Sequence, residues 1–107
     1  MQEVDYNEKK TKAKLDFLAE CYPESLTADG LDDAIVGNCA SSGTVVYDYN
    51  KCLKIFMKRD NMDYETAHEH MEFNVVSAYV GDLTPIFIHT LWNLKYQLIM
   101  IFLIRRK

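Results

Sequence analysis

A chain of 107 residues with 49% hydrophobic and 26% charged side chains has the composition of one globular domain with a single core, which excludes a disordered or fibrous polypeptide. Twelve basic against sixteen acidic residues leave a net charge of −4, so no whole-molecule attraction to nucleic acid or anionic lipid is expected, although a local basic face is compatible with it. Cys21, Cys39 and Cys52 are odd in number, far apart and without a C-x-x-C pair, which indicates neither a disulfide framework nor a zinc ribbon. A reducing cytosol is therefore the expected setting, and the polar start Met1-Gln-Glu-Val-Asp-Tyr-Asn-Glu-Lys-Lys10 carries no secretory h-region.

Residues 8 to 21 favour helix, with Leu15, Leu18 and Tyr22 at i, i+3, i+7 and Phe17 and Cys21 beside them; Pro23 ends the pattern. Glu24 to Gly30 is polar and reads as a loop. Asp33 to Cys39 and Thr44 to Tyr47 are short and β-rich, and Ala-Ser-Ser-Gly between them predicts a hairpin. Asp48 is placed as the N-cap of a helix over about Tyr49 to Arg59, with Cys52, Ile55 and Phe56 inward and Lys51, Lys54 and Lys58 outward. Asp63 is the next N-cap, with Met62 and Ala67 as a hydrophobic staple.

In the third helix Tyr64, Ala67, Met71, Val75 and Ala78 recur at the helical period, while Glu65, Glu69 and Glu72 take the other side. From Phe73 onward the pattern is apolar almost all round. Phe73, Val76 and Val80 predict a second buried face, and Gly81 is placed to close the helix in a left-handed conformation. Thr84 to Ile88 reads as a third strand, giving the order α-β-β-α-α-β and an α+β class: one domain over 1–107, with a short antiparallel or mixed sheet packed by helices.

Residues 86 to 104 are mainly apolar and end in Arg105-Arg-Lys107, a superficial likeness to a tail anchor. His89, Thr90, Asn93, Lys95 and Gln97 interrupt the run, and a lysine near mid-span alone costs about 2.5 to 3.5 kcal/mol, so membrane insertion is not favoured. A helix followed by a strand-like Leu98 to Ile104, packed on the sheet or on a second subunit, is expected instead. Leu91, Trp92, Leu94, Leu98, Ile101 and Phe102 are the expected interface residues of a homo-oligomer, most simply a two-fold dimer.

Asp32-Asp-Ala-Ile-Val-Gly37, Val46-Tyr-Asp-Tyr-Asn-Lys-Cys-Leu-Lys-Ile-Phe-Met-Lys-Arg-Asp60, Met62-Asp-Tyr-Glu-Thr-Ala67, Glu72-Phe-Asn-Val-Val-Ser-Ala-Tyr-Val-Gly81 and Thr84-Pro-Ile-Phe87 together resemble a family of small bacteriophage and prophage proteins. The likeness covers about residues 28 to 88. It implies a phage-type origin and a cytosolic setting in an infected bacterium, and it brings no catalytic assignment. His68 and His70 stand where members more often show carboxylates or aromatics, which argues against a family-wide histidine site. The extension 89–107 lies outside the resemblance.

His68 and His70 are about 200° apart around a helix and cannot chelate one ion together, so they read as solvated surface residues, with His89 isolated. Asp32, Asp33, Asp48 and Glu72 could converge on a divalent ion, yet each has a plainer role: strand entry, N-cap or solvated helix residue. Asn74, among apolar neighbours, reads as a buried structural amide; with Tyr79 it joins the candidate binding residues Asp32, Asp33, Asp48 and Glu72. No phosphate-cradling glycine motif and no catalytic nucleophile stands out, and Cys39 and Cys52 read as packing residues. Neither a catalytic residue, a metal ligand set nor a cofactor is assigned. The expectation is a small phage-type accessory protein that binds, and inhibits, a host defence macromolecule; a nucleotide-binding sponge or a small metal-dependent enzyme using the carboxylates is the alternative.

Overall fold

The computed structural model describes the backbone of residues 2–91 and the side chains of residues 8–91. Within them the domain is α+β, with the elements α1 (Gln2–Cys21), β1 (Ile35–Asn38), β2 (Val45–Asp48), α2 (Tyr49–Arg59), α3 (Tyr64–His70) and β3 (Ile86–Ile88). The expected order holds, with three local differences. The first helix begins at Gln2, Asp32–Ala34 form a single 3-10 turn ahead of the first strand, and the third helix passes into a π-helical stretch, Met71–Val76.

The sheet is mixed, in the order β1-β2-β3. β1 and β2 are antiparallel, with the pairing slipping between Ile35 and Gly37 so that Val36 bulges out of the ladder. β2 and β3 are parallel, Val46 opposite Ile86 and Asp48 opposite Ile88. The hairpin turn is closed by Cys39 N–H to Thr44 O (2.7 Å) and Gly43 N–H to Cys39 O (2.8 Å). Gly43 has φ +79°, and a Cβ there would lie 2.7 Å from the Tyr22 ring, so conformation and space both require glycine.

The core is built on the central strand. Val45 and Tyr47 of β2, Ile35 of β1, Leu18 of α1, Tyr49, Cys52, Leu53 and Phe56 of α2 and Ala67 of α3 are buried together with Leu31, Ala34 and Met71. Both expected caps form: Asp48 accepts from Asn50 N–H at 2.9 Å and Asp63 from Thr66 N–H at 2.8 Å. Asn61 takes a left-handed φ of +58° just after α2, a conformation that asparagine tolerates better than most residues.

The distal part of the third helix departs from expectation. Ala67 and Met71 are buried and Val75 is half-buried, but Ala78 is exposed, and Phe73, Val76 and Val80 form no second buried face: Phe73 is 75% and Val80 62% exposed. Two local features accompany the loss of regular α-helix. The Met71 N–H is shared between the Ala67 and His68 carbonyls, and the Ser77 hydroxyl donates to the Phe73 carbonyl at 2.7 Å, drawing that acceptor out of the helical ladder. The helical stretch stops at Val76. Gly81 does adopt a positive φ, +117°, but in a later turn, where its carbonyl accepts from the Thr84 amide and hydroxyl.

Candidate functional site

A cleft of about 590 Å3 opens between the loop after α1, the C-terminal end of α2, the π-helical stretch and the approach to β3. That volume lies within the usual range for small-molecule sites, about 300 to 1,000 Å3. Its apolar wall comes from Leu31, Phe56, Val75 and Phe87; its polar rim comes from Arg59, Asp60, His70 and Asn74.

Long-range polar links tie the loop after α1 to β2 and α2. The buried Tyr47 hydroxyl accepts from the Ala28 N–H at 2.6 Å and so ties the loop to the central strand, while the Tyr47 ring stacks on Phe87 with centroids 5.2 Å apart. Burial pushes this phenol up to about 12 from its ordinary 10.0. On the other side Arg59 donates to Gly30 O at 2.8 Å and, through Nε and Nη2, to both carboxylate oxygens of Asp60 at 3.1 Å. Those bonds hold the Asp60 carboxyl below its usual 3.8. The guanidinium also lies 5.6 Å from the centre of the Phe56 ring, within cation–π range.

His70 and Asn74 sit where α3 gives way to the π-helical stretch, a kind of irregularity that often marks functional positions. The Asn74 side-chain N–H meets His70 Nδ1 at 3.0 Å. The His70 ring meets Phe56 edge-on at 4.7 Å. Asn74 is therefore an exposed rim residue and not a buried structural amide, because the helix turns it toward the cleft and away from the core.

A second polar group surrounds Tyr49. Its hydroxyl donates to Glu72 Oε2 at 2.7 Å, and burial together with this carboxylate raises the phenol pKa. His68 approaches the Tyr49 ring edge-on at 6.1 Å and stacks against Tyr64, while His89 lies 4.4 Å from Tyr49. The histidines are thus not plain solvated residues: His68 and His70 are half-buried against aromatic rings, and His89 has a tyrosine neighbour.

The carboxylates go to separate places. Asp32 is half-buried in the 3-10 turn, and Asp33 accepts from the Thr11 hydroxyl at 2.6 Å. Asp48 is buried, caps α2 and accepts from Thr90 at 3.1 Å, whereas Glu72 is exposed and engaged by Tyr49. Among the described residues no group of three or more His, Cys, Asp or Glu side chains could hold a metal ion, so the alternative in which these carboxylates converge on a divalent ion finds no support there. Tyr79 is 76% and Leu91 70% exposed; Trp92, Leu94, Leu98, Ile101 and Phe102 lie outside the described residues. No described helix is long and apolar enough to cross a membrane.

Cys52 is a buried packing residue, and burial pushes its thiol up to about 12. Cys39 differs, because hydrogen bonds from the side chains of Ser41 and Ser42, then from their backbone amides, bring its thiol from 9.0 down to about 6. Sequence reasoning missed Asp60 altogether, and it weighed Arg59 only as the end of a basic helix face and His70 only as a surface or metal-binding histidine, not as rim residues of a cleft. The i, i+4 spacing of His70 and Asn74 was the available signal for the rim. Comparison with protein-family models, curated proteins and solved structures gave no match for this chain.

Proposed function

We propose that this protein acts by binding a protein of the host cell, with the stretch from Phe73 to Val80 as its docking surface. One observation carries the reading: four large apolar side chains, Phe73, Val76, Tyr79 and Val80, are exposed within eight residues, directly after the buried Met71. Apolar surface of this density is uncommon on a domain that functions alone, and exposed aromatics of this kind anchor protein interfaces. The resemblance to phage proteins supplies the class of partner, a host macromolecule, and inhibition of a defence complex is the consequence that such binding would have.

The test is Phe73→Asp with Tyr79→Asp, two exposed positions whose replacement leaves the core untouched. Affinity capture from a bacterial lysate is run in parallel with the unaltered chain and the double variant, alongside circular dichroism and light scattering. A host protein retained by the former and lost by the latter, with the fold unchanged, supports the proposal. Identical captures overturn it. So does a pair of substitutions that only turns a dimer into a monomer, because the surface would then serve self-association.

A further inference from the structure

Two hollows meet at Arg59. One is the cleft described above. The other is an open groove along the outer face of α2, where Lys51, Lys54, Lys58 and Arg59 face one carboxylate, Asp33. On a chain of net charge −4 this is a local reversal of sign. A neighbour registers the same field: Lys14 has its pKa lowered by burial first and then by the charges of Lys51 and Lys10. An apolar cleft with a directional amide on its rim therefore adjoins a cationic groove, and the partition between them is a clamped guanidinium.

We infer that the cleft and the groove together bind an adenine nucleotide, with the base in the cleft against Asn74 and the phosphates over the lysines of α2. Phe56, Val75 and Phe87 provide an apolar wall for a planar ring. Asn74 spends one N–H on His70 and keeps its second N–H and its Oδ1 for a ligand. A donor beside an acceptor is the complement of the adenine N6/N7 edge; the guanine N7/O6 edge offers two acceptors and leaves Oδ1 facing another acceptor. His70 and the π-helical stretch thereby act as positioning elements for the amide. Three of the five N–H donors of Arg59 are engaged by Gly30 and Asp60, which leaves the remainder for the ribose or the first phosphate between the two hollows. Phosphate charge then falls where the cations are concentrated. The assignment shares Asn74 and Val75 with the docking stretch but uses neither Phe73 nor Tyr79, so it goes beyond the protein-docking reading, and substitutions at those two residues separate the failure of one from that of the other.

The experiment is calorimetric titration of the full chain at low ionic strength with ADP, GDP, adenosine and inorganic phosphate. ADP is expected to bind saturably and at least about tenfold more tightly than the other three, with an affinity that falls as salt is added. Asn74→Leu should erase the preference for ADP over GDP. Replacing Lys51 and Lys58 by Gln should weaken ADP about tenfold and leave adenosine unchanged, while Phe73→Asp with Tyr79→Asp should leave ADP binding intact. Absence of ADP binding at millimolar concentration overturns the inference, as does equal binding of ADP and GDP or full ADP affinity in Asn74→Leu. The comparison of ADP with GDP on the unaltered chain decides the matter even if a variant misfolds.

Discussion

The hairpin with α2 and the stretch from Met71 to Ile88 use apolar residues in opposite ways. In the first, side chains of β2 and α2 enter the core, and even the polar groups there have assigned partners: Tyr47 accepts from Ala28, and Asp48 caps the helix that follows it. In the second, only Met71 is fully buried; Phe73, Val76, Tyr79 and Val80 face outward, and Ile86 and Ile88 of β3 are themselves exposed. The lesson is that apolar density in a sequence measures how much surface is to be kept from water, and not whether the same chain or a partner covers it.

That contrast can be broken most sharply by paired truncations. Met71→Ala should destabilise the domain by about 2 to 5 kcal/mol in chemical denaturation, through lost burial and the cavity left behind. Phe73→Ala, two positions on, should stay within about 0.5 kcal/mol. Comparable losses at the two sites would mean that the outward face is structural after all. A smaller effect is expected at the cap: Asp48→Ala should cost about 1 to 2 kcal/mol, since the amide of Asn50 loses its acceptor and Thr90 loses its bond.

The last test concerns pH and distinguishes the two regions by their titration. Tyr47 and Cys52 have folded-state values of about 12 against ordinary values of 10.0 and 9.0, and that of Tyr49 is raised as well. Unfolded chains release these protons from about pH 9 upward while the folded domain keeps them. Their stabilisation is therefore complete below pH 9 and is lost progressively as pH rises toward 12. Urea midpoints measured at pH 8, 10 and 11.5 should fall in that order; a flat profile would contradict the burial of this cluster.

Much of the architecture was legible because its signals are local. Asp48 and Asp63 are short acceptors standing directly before helical periodicity, and Ala-Ser-Ser-Gly between two β-rich runs allows little besides a hairpin. The outward turn of Phe73 and Val76 was not legible. A regular helical period, extended through Ser77, assigns them a buried face, whereas a shared amide at Met71 and a hydroxyl bond to Phe73 O accompany a different winding. The rim of the cleft was hidden for another reason. The bonds that shape it join Ala28 to Tyr47 and Gly30 to Arg59, partners 19 and 29 residues apart, and no short pattern announces such a link.

The parallel pairing of β2 with β3 also bears on how the chain reaches its fold. Val46 finds its antiparallel neighbour, Gly37, nearby, but its other neighbour, Ile86, is made forty residues later (46 to 86). During synthesis the middle strand thus has one side zipped while the other waits, with unsatisfied amides and carbonyls along it. Such an interval favours slow, late closure and invites strands from other nascent copies to take the vacant place. Expression yield should accordingly depend on how fast the ribosome delivers the final third of the chain.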